Sequence, residues 1–180
     1  MCDGLLPEGV SAKDLALHIV ATLGADGGVG YAVEYTGPAI EALDIEGRLT
    51  ICNLSVELGA RFAIIAPDAK TFAYLQGRTY APQGEAFDAA VRDWQQLPSD
   101  PGAEYDQEVR IDASAVAPTI SWGISPDHAI RIDALVPDPA DVQSPRREAY
   151  AAALDYMGLR AGDALAGTPV DWGVFGSCGD

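Results

Sequence analysis

The stretch EGRLTICNLSVELGAR, running from Glu46 to Arg61, decides how the chain is read. Ile45, Leu49, Cys52, Val56 and Ala60 recur at three- and four-residue steps, the period of a helix with one buried stripe. Glu46, Thr50, Asn53, Glu57 and Arg61 form a second, polar stripe at similar spacing. The pattern predicts one helix from Asp44 to Ala60. Residues four apart share a helix face, so the Asn53 amide and the Glu57 carboxylate point the same way. Such a stripe reads either as solvated surface or as a pair facing a cleft, able to orient or exchange protons with a bound hydroxyl. Arg48 and Arg61 likewise read as bidentate grips on substrate carboxylates or as surface ion pairs. Phe62 to Ala66 then reads as a buried strand closed by Pro67.

Upstream, Ser11 caps a helix whose first turn holds Asp14 and whose apolar stripe is Leu15, Ile19, Val20 and Leu23. Gly24 ends it, and a glycine-rich loop leads to a short strand over Tyr31 to Tyr35. That loop precedes its strand, whereas a dinucleotide fingerprint follows a strand and opens a helix, so the motif is rejected. Pro38 suits the first turn of another helix. Downstream, Asp68 caps a helix through Leu75, and Phe87, Val91, Trp94 and Leu97 mark another that stops at Pro98. Tyr105 to Ile111 alternates as a half-buried strand does, and Ile120 to Gly123 reads as a strand end before a turn at Ser125. Residues 137–143 hold two prolines and read as a linker between a first part, 1–136, and a second, 144–180. Ser144-Pro145 starts a helix burying Tyr150, Leu154 and Met157, and Val170 to Phe175 is a last strand candidate. Helices alternating with short strands predict an α/β layered architecture.

Composition narrows the function. The net charge of -16, with eleven Lys and Arg scattered along the chain, argues against nucleic acid and anionic membranes as partners. It reads as a solvated acidic surface, with salt adaptation as the alternative. No apolar run of about 18 residues or more occurs, and the N-terminus is not a secretory signal. Three distant cysteines, Cys2, Cys52 and Cys178, form no disulfide framework, so a cytoplasmic location is expected. Without a CxxC, and with only His18 and His128, a self-contained zinc site is not expected. His18 reads as a half-buried structural side chain. His128 follows a turn and has no evident partner, and a Cys–His hydrolase built on Cys178 rests on residue counting alone. Cys178 itself, in a glycine-flanked turn, is either a free thiol or a ligand to a bulky inorganic group.

Several stretches taken in order carry a resemblance. They are Gly9-Val10-Ser11-Ala12-Lys13-Asp14, the helix Glu46 to Arg61, Ile65-Ala66-Pro67-Asp68, Ser121-Trp122-Gly123-Ile124-Ser125-Pro126 and Gly176-Ser177-Cys178. Together they resemble the middle of the large subunits of the 3-isopropylmalate dehydratase family, within the aconitase superfamily. The resemblance implies a layered α/β/α domain of the aconitase type, present in part. It implies an iron–sulfur hydro-lyase that interconverts 2- and 3-isopropylmalate in leucine biosynthesis, paired with a small subunit that helps bind the dicarboxylate. It also implies a [4Fe–4S] cluster held by three cysteines. Cys178 matches the first ligand, Asn53 the asparagine beside the cluster, and Glu57 the glutamate that hydrogen-bonds the substrate hydroxyl.

The departures set further expectations. The family's downstream CxxC and its upstream Asp and His groups do not occur, so the chain is expected to be an internal fragment, inactive alone and without a stable cluster. Its open strand edges are expected to weaken folding. Gly-Ser-Cys-Gly-Asp stands where the family has Gly-Ser-Cys-Thr-Asn, Leu54 replaces a Met, and Ile124 a Thr. The alternatives are a truncated non-catalytic module, a homoaconitase-type dehydratase fragment, and an unrelated cysteine enzyme.

Overall fold

Ser11 accepts from the Asp14 amide while Asp14 returns a bond to the Ser11 amide, a reciprocal cap that fixes the start of helix α1 (Ala12–Leu23). The computed structural model describes residues 1–142 and 146–176. Strand β1 (Cys2–Asp3) precedes α1, and strand β2 (Ala32–Glu34) follows it. Helix α2 (Pro38–Ala42) opens on its proline, and helix α3 (Ile45–Leu54) on Asp44, whose carboxylate accepts from the Gly47 amide. Next come strand β3 (Phe62–Ile64), helix α4 (Ala69–Leu75) and helix α5 (Glu85–Trp94). The chain then runs through strands β4 (Ile111–Asp112), β5 (Thr119–Ser121) and β6 (Ala129–Arg131) to helix α6 (Arg146–Met157). The fold is α/β, with helices set among small sheets.

β1 pairs with β4 and β2 with β3, both parallel, while β5 and β6 are antiparallel. Leu15, Ile19 and Val20 of α1 pack with Ile40 of α2, Ile51 of α3 and Leu58 in the main core. Each such side chain taken fully from water contributes about 1.5–3 kcal/mol. A second core joins Trp122 and Val136 to Ala153 and Leu154 of α6, so packing crosses the proline-rich stretch. α1 has no basic residue in its last turn, and Arg146 supplies the cation from α6, donating to the Leu23 carbonyl at 2.8 Å. Its guanidinium occupies the space a Cβ on Gly24 would need.

Several expectations are corrected. The helix predicted over Asp44 to Ala60 is α-helical only to Leu54, then winds as a 3-10 turn over Ser55–Leu58 and ends at Gly59, φ 74°. The predicted buried stripe is not the buried one: Leu49 is 50% and Val56 67% exposed, while Arg48, Ile51, Ser55 and Leu58 face inward. Arg48 can be buried because Asp68 and a helix end receive it. The strand after Arg61 is shorter than predicted, and Phe62 and Ile64 are exposed on its outer face. Of Tyr105 to Ile111, only Ile111 joins a strand, because β1 offers a partner for two residues. Val170 to Phe175 forms no strand: among the described residues no backbone pairs with it, and its side chains are exposed. Leu97 and Met157 are also exposed, each lying just beyond the packed turns of its helix. The start of the last helix at Ser144-Pro145 lies outside the described residues.

Candidate functional site

The candidate site begins where α3 changes its winding. Ser55 Oγ bonds back to the Ile51 carbonyl at 2.8 Å and pairs with the buried Tyr35 hydroxyl at 2.8 Å. A serine bonding its own helix in this way competes with regular winding, and the next turn tightens. Asn53 lies before that change and Glu57 after it, so one continuous helical face does not carry both. Asn53 is exposed beside Leu49 on the outer face of α3, Val56 is exposed in the 3-10 turn that follows, and Glu57 is half-buried. Neither side chain makes a hydrogen bond among the described residues. The pair is thus an exposed amide and a half-buried carboxylate, with the exposed apolar side chains of Leu49 and Val56 near them in the sequence.

Arg48 is not a free grip for substrate. Its Nη2 donates to Asp68 Oδ2 at 2.6 Å and to the Glu41 carbonyl at 3.0 Å, and its Nε is buried without a partner. Lys70 Nζ donates to the carbonyls of Glu41, Ala42 and Leu43 at 2.6–3.0 Å. Both cations therefore satisfy the C-terminal end of α2, where carbonyls lack helical partners. The Arg48 hydrogen bond holds the Asp68 carboxyl down at about 2, with amide bonds from Thr71 and Lys70 adding to the effect. Arg61 remains exposed.

The other candidates separate. His18 is half-buried, as expected, and burial lowers its pKa. His128, read as partnerless, is buried between aromatic rings: it stacks on Trp122 at 4.7 Å and meets the Tyr150 edge at 4.7 Å. Its Nδ1 has no hydrogen-bond partner, and burial lowers its pKa against the opposing pull of Asp127. Sequence pointed to the Ser121–Pro126 stretch but not to this packing, which unites β5, β6 and α6. A second missed group is Glu34, whose Oε2 accepts from Ser99 Oγ and Tyr105 OH, both at 2.8 Å. Those partners lie far along the chain, beyond any local spacing signal. They border a cavity of about 520 Å³, which neither Asn53 nor Glu57 lines.

The thiols of the described residues bear on whether they could hold an iron–sulfur cluster. Burial pushes the Cys2 and Cys52 thiols up, towards the protonated form that ligates poorly. No group of three or more His, Cys, Asp or Glu able to hold a metal occurs among the described residues. Those residues do not by themselves fit a cluster needing three thiolates. Cys178 lies outside the described residues.

Comparison with known proteins gives the site its context. The profile of the aconitase family (aconitate hydratase) matches residues 1–180, the whole chain. The chain belongs to the aconitase family. Over 177 residues, 98% of its length, this family member is 56% identical to the 3-isopropylmalate dehydratase large subunit 1 of Bradyrhizobium diazoefficiens. It is 50% identical to the large subunits of the same name from Solibacter usitatus and Salinibacter ruber, again over 98% of the chain. The aligned region spans 37–38% of the length of these relatives. Among the described residues, no helix is long and apolar enough to cross a membrane.

Proposed function

We propose that this chain is one section of a 3-isopropylmalate dehydratase large subunit, contributing Asn53 and Glu57 to the hydro-lyase site of the longer protein. The observation that carries the reading is 56% identity across 98% of the chain to a protein of that name. In this reading, water is removed from 2-isopropylmalate and returned at the neighbouring carbon. Glu57 hydrogen-bonds the migrating hydroxyl and the Asn53 amide orients it. A carboxylate and an amide suit those tasks: one accepts or returns a proton, the other donates and accepts without changing charge. The open apolar flanks of Leu49 and Val56 are consistent with a site completed by further protein surface.

The remaining parts belong to the same proposal. The large-subunit name of the relatives supports a separate small subunit and a dicarboxylate substrate. The aconitase-type layered α/β/α arrangement is a property of the longer protein, with residues 1–136 in one domain, 137–143 linking, and 144–180 opening the next. The protein is cytoplasmic. Cys178 supplies one thiolate to a [4Fe–4S] cluster, and the other ligands come from outside this chain. The described donors do not by themselves complete that site.

A segment exchange tests the reading. Residues 1–180 replace the matching segment of the Bradyrhizobium large subunit, which is co-produced with its small subunit and assayed anaerobically for 2-isopropylmalate turnover. The exchanged protein is expected to retain activity within about tenfold, and Glu57→Gln within it to lose at least about 100-fold in kcat. An inactive exchange that folds and binds the small subunit points to the non-catalytic module instead. Full activity of Glu57→Gln removes the role assigned to that residue.

A further inference from the structure

The cavity of about 520 Å³ is lined by two backbone segments, β2 with its flanks, residues 31–36, and residues 107–111, together with Ile19 and Leu23 from α1 and with Pro98 and Tyr105. Met1 and Cys2 close one end. The hydrogen bonds at that end alternate between the two sides. Met1 donates from its amino group to the Val109 carbonyl at 2.7 Å and accepts from the Ile111 amide at 2.9 Å, whereas Cys2 donates to the Thr36 carbonyl at 2.8 Å. Successive residues bonding to opposite neighbours is the signature of an interior strand in a parallel sheet. The register agrees, since Cys2 pairs with Ile111 and lies against Gly37, where a Cβ would meet the Cys2 backbone.

The two sides remain ready to continue that pattern. Tyr31 and Tyr35 bond to the β3 side, through the Arg61 amide and the Ile64 carbonyl. Period two therefore turns the peptide groups of Ala32 and Glu34 towards the cavity. Across from them, the Gln107 peptide groups and the Val109 amide make no hydrogen bond among the described residues. A parallel sheet is ordinarily continuous and covered on both faces, and here helix α1 and the 98–105 loop already supply the two covers.

We propose that this cavity is a strand slot that accepts one extended segment parallel to β2 and to residues 107–110, filled in the longer family members by the residues that lead into the position of Met1. The relatives are longer than this chain, the aligned region being 37–38% of their length, and the slot asks that some of that extra chain precede the Met1 position. Filling the slot joins β3, β2, β1 and β4 into one four-stranded parallel sheet. The register sets the occupant's chemistry. Its residues immediately before Met1 and third before it lie beside Tyr35 and Val33, facing the core, and are apolar. Its second residue lies beside Glu34, under Ser99 and Tyr105. The inference rests on family membership and backbone geometry, not on the proposed activity.

Hydrogen exchange on the chain extended at its N-terminus by Val-Thr-Val-Thr-Val, against an extension of Gly-Ser-Gly-Ser-Gly, is the direct test. The first extension is expected to slow exchange of the Glu34, Thr36 and Val109 amides at least about tenfold over the second. Equal exchange in both overturns the slot, and so does protection that appears only on dimerisation, which would assign the slot to a second copy. Should the extended chain not fold, the full-length Bradyrhizobium protein supplies the reading. There, a short bis-maleimide is expected to join a cysteine at the second residue before the Met1 position to one at the Glu34 position. A cysteine moved to the residue immediately before Met1 is not expected to react so. Equal cross-linking of both, or of neither, overturns the proposal.

Discussion

Arg48 and Asp68 form an ion pair in which the arginine side chain is 6% exposed and the carboxylate 39%. Removing one member of such a pair leaves a buried charge to be solvated by little else. Asp68 also caps α4 through the Lys70 and Thr71 amides, so Asp68→Ala loses two functions at once. Its expected cost is about 3 kcal/mol in urea denaturation, and a loss below about 1 kcal/mol would mean that Arg48 finds another partner. The carboxyl also has a pH signature. Its folded pKa is about 2 against an ordinary value of 3.8, so its stabilisation is whole above about pH 4 and disappears as pH falls towards 2. With the carboxylate more than a third exposed, solvent screening brings that contribution to about 1 kcal/mol. Stability measured from pH 5 to pH 2 is expected to fall less steeply in Asp68→Asn. A second residue-scale test is Gly123→Ala, whose methyl would run into the His128 ring. Overpacking there is expected to cost about 1–3 kcal/mol, measured by thermal unfolding, and to be relieved in the double variant with His128→Ala. His128, whose pKa burial lowers, adds a second loss on the same acid side, at higher pH than the Asp68 pair. Its neutral form is stabilising above the ordinary value of 6.5, and that contribution is lost as pH falls below it.

At the scale of the element, caps decide what could be read from sequence. Ser11 with Asp14, and Asp68 with Thr71, are local arrangements three residues apart, and the helices they open begin where expected. Asp14 does more than cap, because its Oδ1 also accepts from the Thr119 amide at 2.7 Å, holding β5 against α1. Ser11→Ala is therefore expected to cost about 1 kcal/mol and Asp14→Ala about 2–3 kcal/mol, with Asp14→Asn between them in the same thermal assay. Equal costs would show that the bond to Thr119 adds nothing. Thr119 stands 105 residues from Asp14, and no periodicity carries that information. The same limit explains α3. Its apolar and polar stripes are both visible in the sequence, but the face that turns inward, with Arg48, Ile51, Ser55 and Leu58, is neither of them, and it depends on Asp68 and Tyr35 receiving Arg48 and Ser55. The break at Ser55 likewise needs the Tyr35 hydroxyl, 20 residues away. The helical motif singles out Asn53 and Glu57 as candidates, and it carries nothing about their surroundings. Strand lengths were overestimated wherever the alternating residues lacked an adjacent backbone, as over Tyr105 to Ile111 and Val170 to Phe175.

For the molecule as a whole, two surface properties oppose each other. A net charge of -16 on 180 residues makes the compact state repel itself, and also keeps copies apart. Leu49, Val56, Phe62 and Ile64 are each half or more exposed, and Trp172 and Phe175 are almost wholly so, which favours association. Salt separates these effects, because the screening length shrinks from about 10 Å at 0.1 M to about 3 Å at 1 M. Raising sodium chloride across that range is expected to lift Tm through weaker self-repulsion. It should also shift sedimentation towards oligomers, as repulsion between copies fades and apolar contacts gain weight. The two responses have different residue origins. Phe62→Ser with Trp172→Ser is expected to suppress the oligomers while leaving the salt-induced rise in Tm intact, because neither substitution changes charge. If the double variant loses the Tm rise together with the oligomers, association is what stabilises the chain at high salt, and charge repulsion is not the term that limits its stability.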